Sequence, residues 1–315
     1  MSVKILPEAA ASANLAASIG STPLVELSRF AAGAARVFAK LEWFNPGGSV
    51  KDRIALAMIE DAERRGLLAP GGTIVEPTSG NTGVALAMLA ASRGYGCIIV
   101  MPEGYGEVKA RLMEGLGARV VRTKAEDLMR GAIERAQTIA RETPGAYLPN
   151  QFANPVNPQT HFETTGPEIA AAVPAPIDAF VAGVGTTGTF TGVARFLKSR
   201  YPSLWRAAVE PQGSILGGGE RGPHKVEGIG LSFFPDILDR SVMDEILMVP
   251  DDEAFETCRE VARTEGLLIA GSSGAAAAGA LRVARRLGPG RVVVTIFPDS
   301  AERYPGQGIL GKSEG

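Results

Sequence analysis

The sequence predicts an α/β protein built from two open, twisted, mainly parallel β-sheets with flanking helices. Segments with strand and helix patterns alternate along most of the 315 residues, and strands that alternate with helices pair in parallel through right-handed crossovers. The length corresponds to two domains at about 150 residues each. The 39 glycines and 21 prolines supply the tight turns that such folds place at the ends of strands.

The first predicted strand covers residues 37–42, and an amphipathic helix over 49–65 follows it and ends at Gly66. The apolar positions of this helix recur at helical spacing, which indicates one buried face. The remaining predicted strands are 73–77, 96–101, 118–122, 177–183, 206–210, 244–248 and 291–297. The remaining predicted helices are 81–93, 107–116, 125–142, 188–200, 251–265 and 273–287. The proline-rich segment 144–158 is the best candidate for a crossing between two domains.

The charge and composition exclude several classes of protein. A formal net charge of −2 leaves no basic surplus to attract nucleic acid or an anionic membrane. No apolar run reaches the length of about 18 residues that a membrane span requires, and the N-terminus lacks the pattern of a signal peptide, so we expect a cytoplasmic protein. Cys97 and Cys258 are expected to be small buried side chains. The separation of His161 from His224 predicts no metal site.

Three glycine loops each follow a predicted strand and open a predicted helix, which is where open α/β sheets bind ligands. Residues 183–189 form the first loop, and their G-x-G-x-x-G spacing, with Glu210 at the end of the next strand, formally matches a dinucleotide-binding fingerprint. By itself this motif would suggest an NAD-dependent dehydrogenase. The residues themselves indicate only a phosphate site, because backbone N–H groups at a helix start and threonine hydroxyls could bind any phosphate.

The second loop, residues 76–83, concentrates hydrogen-bond donors in a short space. Thr78, Ser79, Asn81 and Thr82 bring hydroxyl and amide groups to the predicted start of a helix. A small carboxylate is the natural ligand for such a group of donors. Ordinary capping of the helix by Ser79 or Thr82 would explain one of these residues but not the whole set.

The third loop, residues 45–53, delivers Lys51 to the first turn of a helix after a turn at Gly47 and Gly48. The positive helix end disfavours the ammonium form of this lysine, and burial would too, so both lower the pKa of its amine. A neutral amine is what Schiff-base chemistry requires. A solvated charge is the plainer interpretation of a single lysine at a helix start.

Taken in order, these segments resemble the cysteine synthase (O-acetylserine sulfhydrylase) and cystathionine β-synthase family of fold type II pyridoxal-phosphate enzymes. The matching motifs lie at 20–24, 45–53, 76–83, 150–152, 164–169, 183–189, 222–230, 271–275 and 297–300. They span nearly the whole chain. The resemblance implies the tryptophan synthase β-like fold, with a smaller domain over 45–150 and a larger domain formed by 1–44 and 151–315. Pyridoxal 5'-phosphate would lie in the cleft between the two domains.

The resemblance also implies a role for each matching residue. Lys51 would link covalently to the cofactor aldehyde and later transfer the substrate α-proton. The other cofactor ligands would be Asn81 at the ring oxygen, Ser272 at the pyridine nitrogen, and Gly185, Thr186, Thr187, Gly188 and Thr189 at the phosphate. The substrate would contact Thr78, Ser79, Gly80, Thr82, Gln151 and Gly228. A serine rather than an aspartate at the ring nitrogen would weaken the electron sink and favour β-elimination.

The implied reaction is a β-replacement that makes L-cysteine from O-acetyl-L-serine and sulfide through an aminoacrylate intermediate. Two alternatives use the same chemistry: O-phosphoserine could be the donor, or homocysteine could be the nucleophile and give cystathionine. Residues 104–109 depart from the family pattern, which leaves the choice of substrate open. Family members are usually homodimers, so the resemblance implies small-molecule substrates and a second copy of the chain as partners. The dehydrogenase remains the alternative from a different class.

Overall fold

The computed structural model of the chain describes residues 14–309, in which ten strands form two sheets. The strands are β1 (Leu24–Glu26), β2 (Arg36–Leu41), β3 (Thr73–Pro77), β4 (Gly96–Pro102), β5 (Arg119–Thr123), β6 (Ala146–Tyr147), β7 (Ala179–Gly183), β8 (Trp205–Pro211), β9 (Glu245–Val249) and β10 (Val292–Phe297). The larger sheet has the order β1-β2-β10-β7-β8-β9, and the smaller sheet has the order β5-β4-β3-β6. All neighbouring strands are parallel except β1 and β2. The predicted α/β fold with two mainly parallel sheets is therefore confirmed.

The described residues also form nine α-helices that flank the sheets. They are α1 (Lys51–Arg64), α2 (Asn81–Arg93), α3 (Glu107–Gly115), α4 (Leu128–Glu142), α5 (Val156–Glu163), α6 (Thr165–Ala172), α7 (Gly188–Arg200), α8 (Asp251–Glu265) and α9 (Gly271–Leu287). Every predicted strand and helix is present, with small shifts at the ends. The sequence patterns missed β1, β6, α5 and α6, because each is too short for a clear periodicity to emerge. The helix predicted over 125–142 begins instead as a 3₁₀ turn at Ala125–Asp127.

The larger sheet is buried on both faces, as a parallel sheet covered by helices must be. All six residues of β10 are buried. Helices α8 and α9 cover one face, where Val209 and Val293 contribute to the apolar core. Helices α6 and α7 cover the other face, where the rings of Phe180 and Phe190 lie 5.4 Å apart. This layering holds the carboxyl ends of β7 and β10 rigidly beside each other.

The smaller sheet has the same construction. Helices α1 and α2 cover one face, with Ile59, Ile74 and Leu86 in its core, and α4 covers the other face through Ala132 and Ala136. The four strands of this sheet all lie between residues 73 and 147. The division of the chain into a domain over 45–150 and a domain of 1–44 plus 151–315 stays a prediction. Within residues 14–309, none of the helices is long and apolar enough to span a bilayer.

A buried ion-pair network ties α1 to the larger sheet. The guanidinium of Arg53, which is 3% exposed, donates to the carboxylates of Glu42 at 2.7 Å and Glu168 at 2.7 Å. Lys40 forms a second ion pair with Glu168 at 2.7 Å. Burial alone would raise the pKa of Glu168, but the hydrogen bonds and charges of Arg53 and Lys40 outweigh it and lower that pKa to about 2. Glu168 therefore stays ionised at neutral pH.

Candidate active site

A cavity of about 690 Å³ opens where the carboxyl ends of β3, β7 and β10 converge, and it is lined by residues of β7 and β10 and by the loop that follows β3. Parallel α/β sheets bind ligands at this end of their strands. The predicted site residues in its wall are Lys51, Thr78, Ser79, Gly80, Asn81, Thr82, Gln151, Gly185, Thr186, Thr187, Thr189, Gly228 and Ser272. The fold thus brings three separate glycine loops and three further segments, at Gln151, Gly228 and Ser272, to one place.

Gly188 is the one predicted site residue that does not line the cavity. It is the first residue of α7, and a side chain at this position would collide with the amide of Asn157 on α5. The absence of a side chain therefore lets α5 approach the start of α7. Its contribution to the site is a backbone position at a helix start rather than a wall of the cavity.

Lys51 is the first residue of α1 and is half-buried at the cavity wall. Desolvation by the surrounding protein lowers the pKa of its amine, and the negative charges of Asp299 and Glu42 oppose that shift without cancelling it. A lowered pKa increases the fraction of neutral amine at a given pH. The side chain can therefore act as a nucleophile toward a carbonyl and as a base toward a C–H proton.

The loop between β7 and α7 has the features of an anion cradle. Thr187 adopts a left-handed backbone conformation with φ of 72°, and its buried Oγ1 has no hydrogen-bond partner among the described residues. A Cβ atom at Gly185 would lie 2.5 Å from the carbonyl oxygen of Gly228, so this close approach requires glycine. Free helix N–H groups, hydroxyl donors and an unsatisfied buried hydroxyl together fit the phosphate of the expected cofactor.

His161 also contacts this cradle. It is fully buried on α5, and its ring nitrogens lie 3.1 Å from Thr189 Oγ1 and 2.9 Å from Thr165 Oγ1. Burial, followed by the positive charges of Arg53 and Lys51, lowers the pKa of His161 well below its usual value. The imidazole is therefore neutral at physiological pH. No local pattern could have revealed the contact, because it joins α5 to the start of α7.

The loop after β3 gathers donors for a carboxylate. The Thr82 hydroxyl donates to Gln151 Oε1 at 2.7 Å, and the Gly80 N–H donates to Thr78 Oγ1 at 3.2 Å. Glu76, at the end of β3, is fully buried, and its carboxylate accepts the backbone N–H of Gln151 at 3.1 Å. Glu76 therefore ties the segment that carries Gln151 to the loop that carries the hydroxyls.

Asp299 connects the two residues that were predicted to face the cofactor ring. Asn81 Nδ2 donates to Asp299 Oδ2 at 2.7 Å, and Ser272 Oγ lies 3.5 Å from Asp299 Oδ1. The Tyr304 hydroxyl also donates to Asp299 Oδ2, at 2.5 Å. Asp299 is 1% exposed and follows β10 by two positions. The motif at 297–300 identified this segment but assigned no role to its carboxylate.

The divergent segment 104–109 reaches the cavity through Lys109. This lysine is 3% exposed, pairs with Glu227 at 2.8 Å, and places its ammonium 4.0 Å from the centre of the Tyr304 ring. All three side chains line the cavity. The divergent segment therefore contributes one member of a charged pair to the cavity wall.

The requirements of the dehydrogenase alternative are not met. The carboxylate of Glu210, its candidate ribose ligand, is 3% exposed and accepts the backbone N–H groups of Leu216 at 3.0 Å and Gly217 at 2.7 Å. These bonds close the chain's own loop after β8. Glu210 is also absent from the cavity wall. In the part of the chain that the structure describes, no group of His, Cys, Asp or Glu residues is placed to hold a metal ion.

Glu76 is expected to make stability depend on pH. Burial raises its pKa from 4.5 to about 7, against the opposing effect of N–H bonds from Gln151 and Asn150. The folded protein then keeps a proton that the unfolded chain releases, so this contribution is lost as pH rises through that range. Urea unfolding should show the free energy of unfolding of wild type minus that of Glu76→Gln falling between pH 4.5 and about 7, by at most about 1.4 kcal/mol per pH unit. Parallel pH profiles for the two proteins would contradict the assignment.

Comparison with known proteins identifies close relatives along nearly the whole chain. The family model for pyridoxal-phosphate dependent enzymes matches residues 15–299. A cysteine synthase from Staphylococcus aureus is 48% identical over 294 residues, which cover 92% of this chain and 94% of that protein. The O-acetylserine dependent cystathionine beta-synthase from Helicobacter pylori is similar in structure, with a TM-score of 0.89, 42% identity and coverage of 94% of this chain and 98% of its own. An O-ureido-L-serine synthase has a TM-score of 0.92 and 41% identity, and the match covers 96% of each chain.

Proposed function

Because the chain belongs to the family of pyridoxal-phosphate dependent enzymes, we propose that it catalyses a β-replacement that makes L-cysteine from O-acetyl-L-serine and sulfide. One observation carries the proposal: a half-buried amine with a lowered pKa, an anion cradle and a carboxylate-binding loop line the same cavity. These are the three groups that a cofactor aldehyde, a cofactor phosphate and an amino-acid substrate require. The relatives named cysteine synthase support the choice of product.

Bound pyridoxal phosphate supplies an aldehyde that an amine can attack and a ring that accepts negative charge from the substrate α-carbon. We propose that Lys51 holds the cofactor through its amine and, once released, takes the proton from the α-carbon. The same amine, whose pKa is lowered by its desolvated position, is suited to both tasks. The residues proposed to hold the cofactor phosphate are Gly185, Thr186, Thr187, Gly188 and Thr189.

The substrate carboxylate is proposed to lie on the loop of residues 78–82 and on Gln151. The hydrogen bond from Thr82 to Gln151 orients both side chains before the substrate arrives, which reduces the entropy lost on binding. Closure of this loop over the carboxylate would exclude water and protect the reactive intermediate from hydrolysis. The proposed boundary between domains, near residues 45 and 150, would let the smaller sheet carry this loop toward the larger one.

An assay with each donor and each nucleophile tests the proposed reaction. Purified holoenzyme would be given O-acetyl-L-serine, O-phospho-L-serine or L-serine, each with sulfide or L-homocysteine, and the products identified by mass. We expect the largest kcat/KM for O-acetyl-L-serine with sulfide. The homocysteine arm is included because a similar structure is that of an O-acetylserine dependent cystathionine beta-synthase. Faster formation of cystathionine than of cysteine would contradict the proposed nucleophile, and no product from any pair would contradict the β-replacement.

Thr189→Ala tests the phosphate cradle. The hydroxyl of Thr189 lines the cavity and lies 3.1 Å from a ring nitrogen of His161. Loss of a hydrogen bond to a charged phosphate should raise the cofactor dissociation constant about tenfold or more, while the KM for the amino-acid donor changes less. Fluorescence titration of the cofactor-free protein measures the first quantity. The control is Thr138→Ala, whose exposed hydroxyl bonds only within α4; equal cofactor affinities in the two variants would contradict the cradle.

We also propose that the enzyme works as a homodimer in the cytoplasm. The resemblance to homodimeric enzymes supports the first part. The two free cysteines support the second, because unpaired cysteines are typical of a reducing compartment. Burial raises the pKa of both Cys97 and Cys258 to about 12, which keeps their thiols unreactive. Light scattering of the purified holoenzyme would measure its mass in solution, and a mass equal to that of one chain would contradict the dimer.

A further inference from the structure

Asn157 is a fully buried side chain on α5 whose amide contacts two different parts of the site. Its Nδ2 donates to the backbone carbonyl of Gln151 at 2.8 Å and to the hydroxyl of Thr186 at 3.2 Å. Gln151 belongs to the proposed carboxylate-binding group and Thr186 to the proposed phosphate cradle. A single amide therefore joins the two halves of the site, although Asn157 itself does not line the cavity.

The orientation of this amide follows from its partners. A carbonyl oxygen only accepts hydrogen bonds, so the nitrogen must face Gln151. The amide oxygen then lies against Gly188, where a side chain would collide with it, and it has no hydrogen-bond partner within residues 14–309. A buried oxygen without a partner costs free energy. The Asn157 amide thus makes two hydrogen bonds through its nitrogen and none through its oxygen within residues 14–309.

The direction of donation decides where the Thr186 hydrogen points. A hydroxyl has one hydrogen and two lone pairs. When Asn157 occupies one lone pair, the single hydrogen of Thr186 is free to point elsewhere, and Thr186 lines the cavity beside the anion cradle. A donor at Asn157 therefore turns the threonine hydroxyl into a donor toward an anion. An acceptor at the same place would attract that hydrogen away from the cavity.

We propose that Asn157 is a positioning residue that sets the donor direction of Thr186 toward the cofactor phosphate and, with the same amide, holds the backbone of Gln151 for the substrate. The inference rests on the proposed function, since it assumes a phosphate in this cradle. It accounts for the unsatisfied amide oxygen and for the glycine at the start of α7. It also explains how the proposed phosphate cradle and the proposed carboxylate-binding group keep a fixed position relative to each other.

Asn157→Asp is the sharpest test, because it preserves the shape of the side chain and removes both donors. We expect the cofactor dissociation constant of the variant to rise about tenfold, the ratio that corresponds to about 1.4 kcal/mol, and the KM for the donor amino acid to rise as well. Fluorescence titration of the cofactor-free protein would measure the affinity. The ³¹P chemical shift of the bound phosphate is expected to move, which a general loss of stability would not cause.

Asn154→Asp is the matched control, since Asn154 precedes α5, donates to the carbonyl of Pro149 at 2.9 Å and does not contact the cradle. Its cofactor affinity and ³¹P shift should equal those of wild type. In a double-mutant cycle, Asn157→Asp should add less than about twofold to the dissociation constant of Thr186→Val, because coupled residues are not additive. If the buried carboxylate prevents folding, Asn157→Ser, which keeps one donor, should show an intermediate loss relative to Asn154→Ser.

Two failures can be told apart. If the wild-type chain binds no pyridoxal phosphate, the proposed function is wrong, and the positioning role of Asn157 is wrong with it. If wild type binds the cofactor and the folded variant at Asn157 matches its control at Asn154, only the positioning role is wrong. Additive effects of the changes at Asn157 and Thr186 would also overturn it.

Discussion

Lys51→Ala is expected to lower kcat by at least about 10³-fold, within the range that loss of a positioned proton-transfer group can reach, and to remove the visible absorbance of covalently bound cofactor. Lys51 is half-buried at the cavity wall, and desolvation lowers the pKa of its amine. The alanine variant lacks the amine that we propose as the nucleophile for the aldehyde and as the base for the α-proton. Initial rates with O-acetyl-L-serine and sulfide, together with an absorbance spectrum, measure both losses.

The control for this experiment is Lys225→Ala. Lys225 is an exposed lysine in the loop that borders the cavity, but its side chain does not line it. Its replacement should leave the rate and the spectrum close to those of wild type. Borohydride reduction of wild type followed by peptide mass analysis should locate the cofactor on Lys51. Activity retained in Lys51→Ala, or the cofactor found on another lysine, would refute the assignment.

Arg53→Met should have the largest effect on stability, at a cost of about 3–5 kcal/mol, as expected when one partner of a buried ion pair is removed. Methionine fills a similar volume but leaves the carboxylate of Glu42, which is fully buried, without its charge partner. Glu42 would keep only the neutral donors of Thr22 at 2.7 Å and Asn45 at 3.0 Å. Urea unfolding of the cofactor-loaded protein measures the change in free energy.

Arg36→Met provides the comparison for Arg53→Met. Arg36 also pairs with a carboxylate, Glu26, at 2.8 Å, but its side chain is 44% exposed. Water screens an exposed pair, so its loss should barely change the unfolding midpoint. Both variants lose one positive charge. A difference in stability between them therefore reports the burial of the charge and not the number of charges. A midpoint for Arg53→Met equal to that for Arg36→Met would show that the buried network does not stabilise the fold.

The glycine loops show why much of the site could be predicted. Residues 183–189 and 76–83 are continuous stretches in which the strand end, the turn and the helix start follow each other in sequence. Backbone N–H groups in the first turn of a helix have no partner within that helix, regardless of the rest of the fold. The ligand type that we propose for each loop, a phosphate or a carboxylate, therefore rests on features that are continuous in sequence. The same reasoning placed Lys51 in the first turn of a helix.

Other parts of the site depend on contacts between residues far apart in the chain. His161 reaches Thr189, and Asn157 reaches Thr186, only because α5 packs against α7. Helix α5 has eight residues, too few for a periodic pattern, and it was not predicted. Lys109 was inside a segment that the sequence singled out as divergent, yet its pairing with Glu227 required the fold.

The alternation of strands and helices, the positions of the loops and the types of reactive group follow from the sequence, because they depend on neighbouring residues. Which of these groups share a cavity, and in which direction their pKa values shift, depends on the tertiary structure. The pKa of Lys51 is lowered by burial against the opposing charges of Asp299 and Glu42, and that of His161 by burial among cations. Desolvation and charge act through space, so the state of each group is set by atoms that distant segments bring to it.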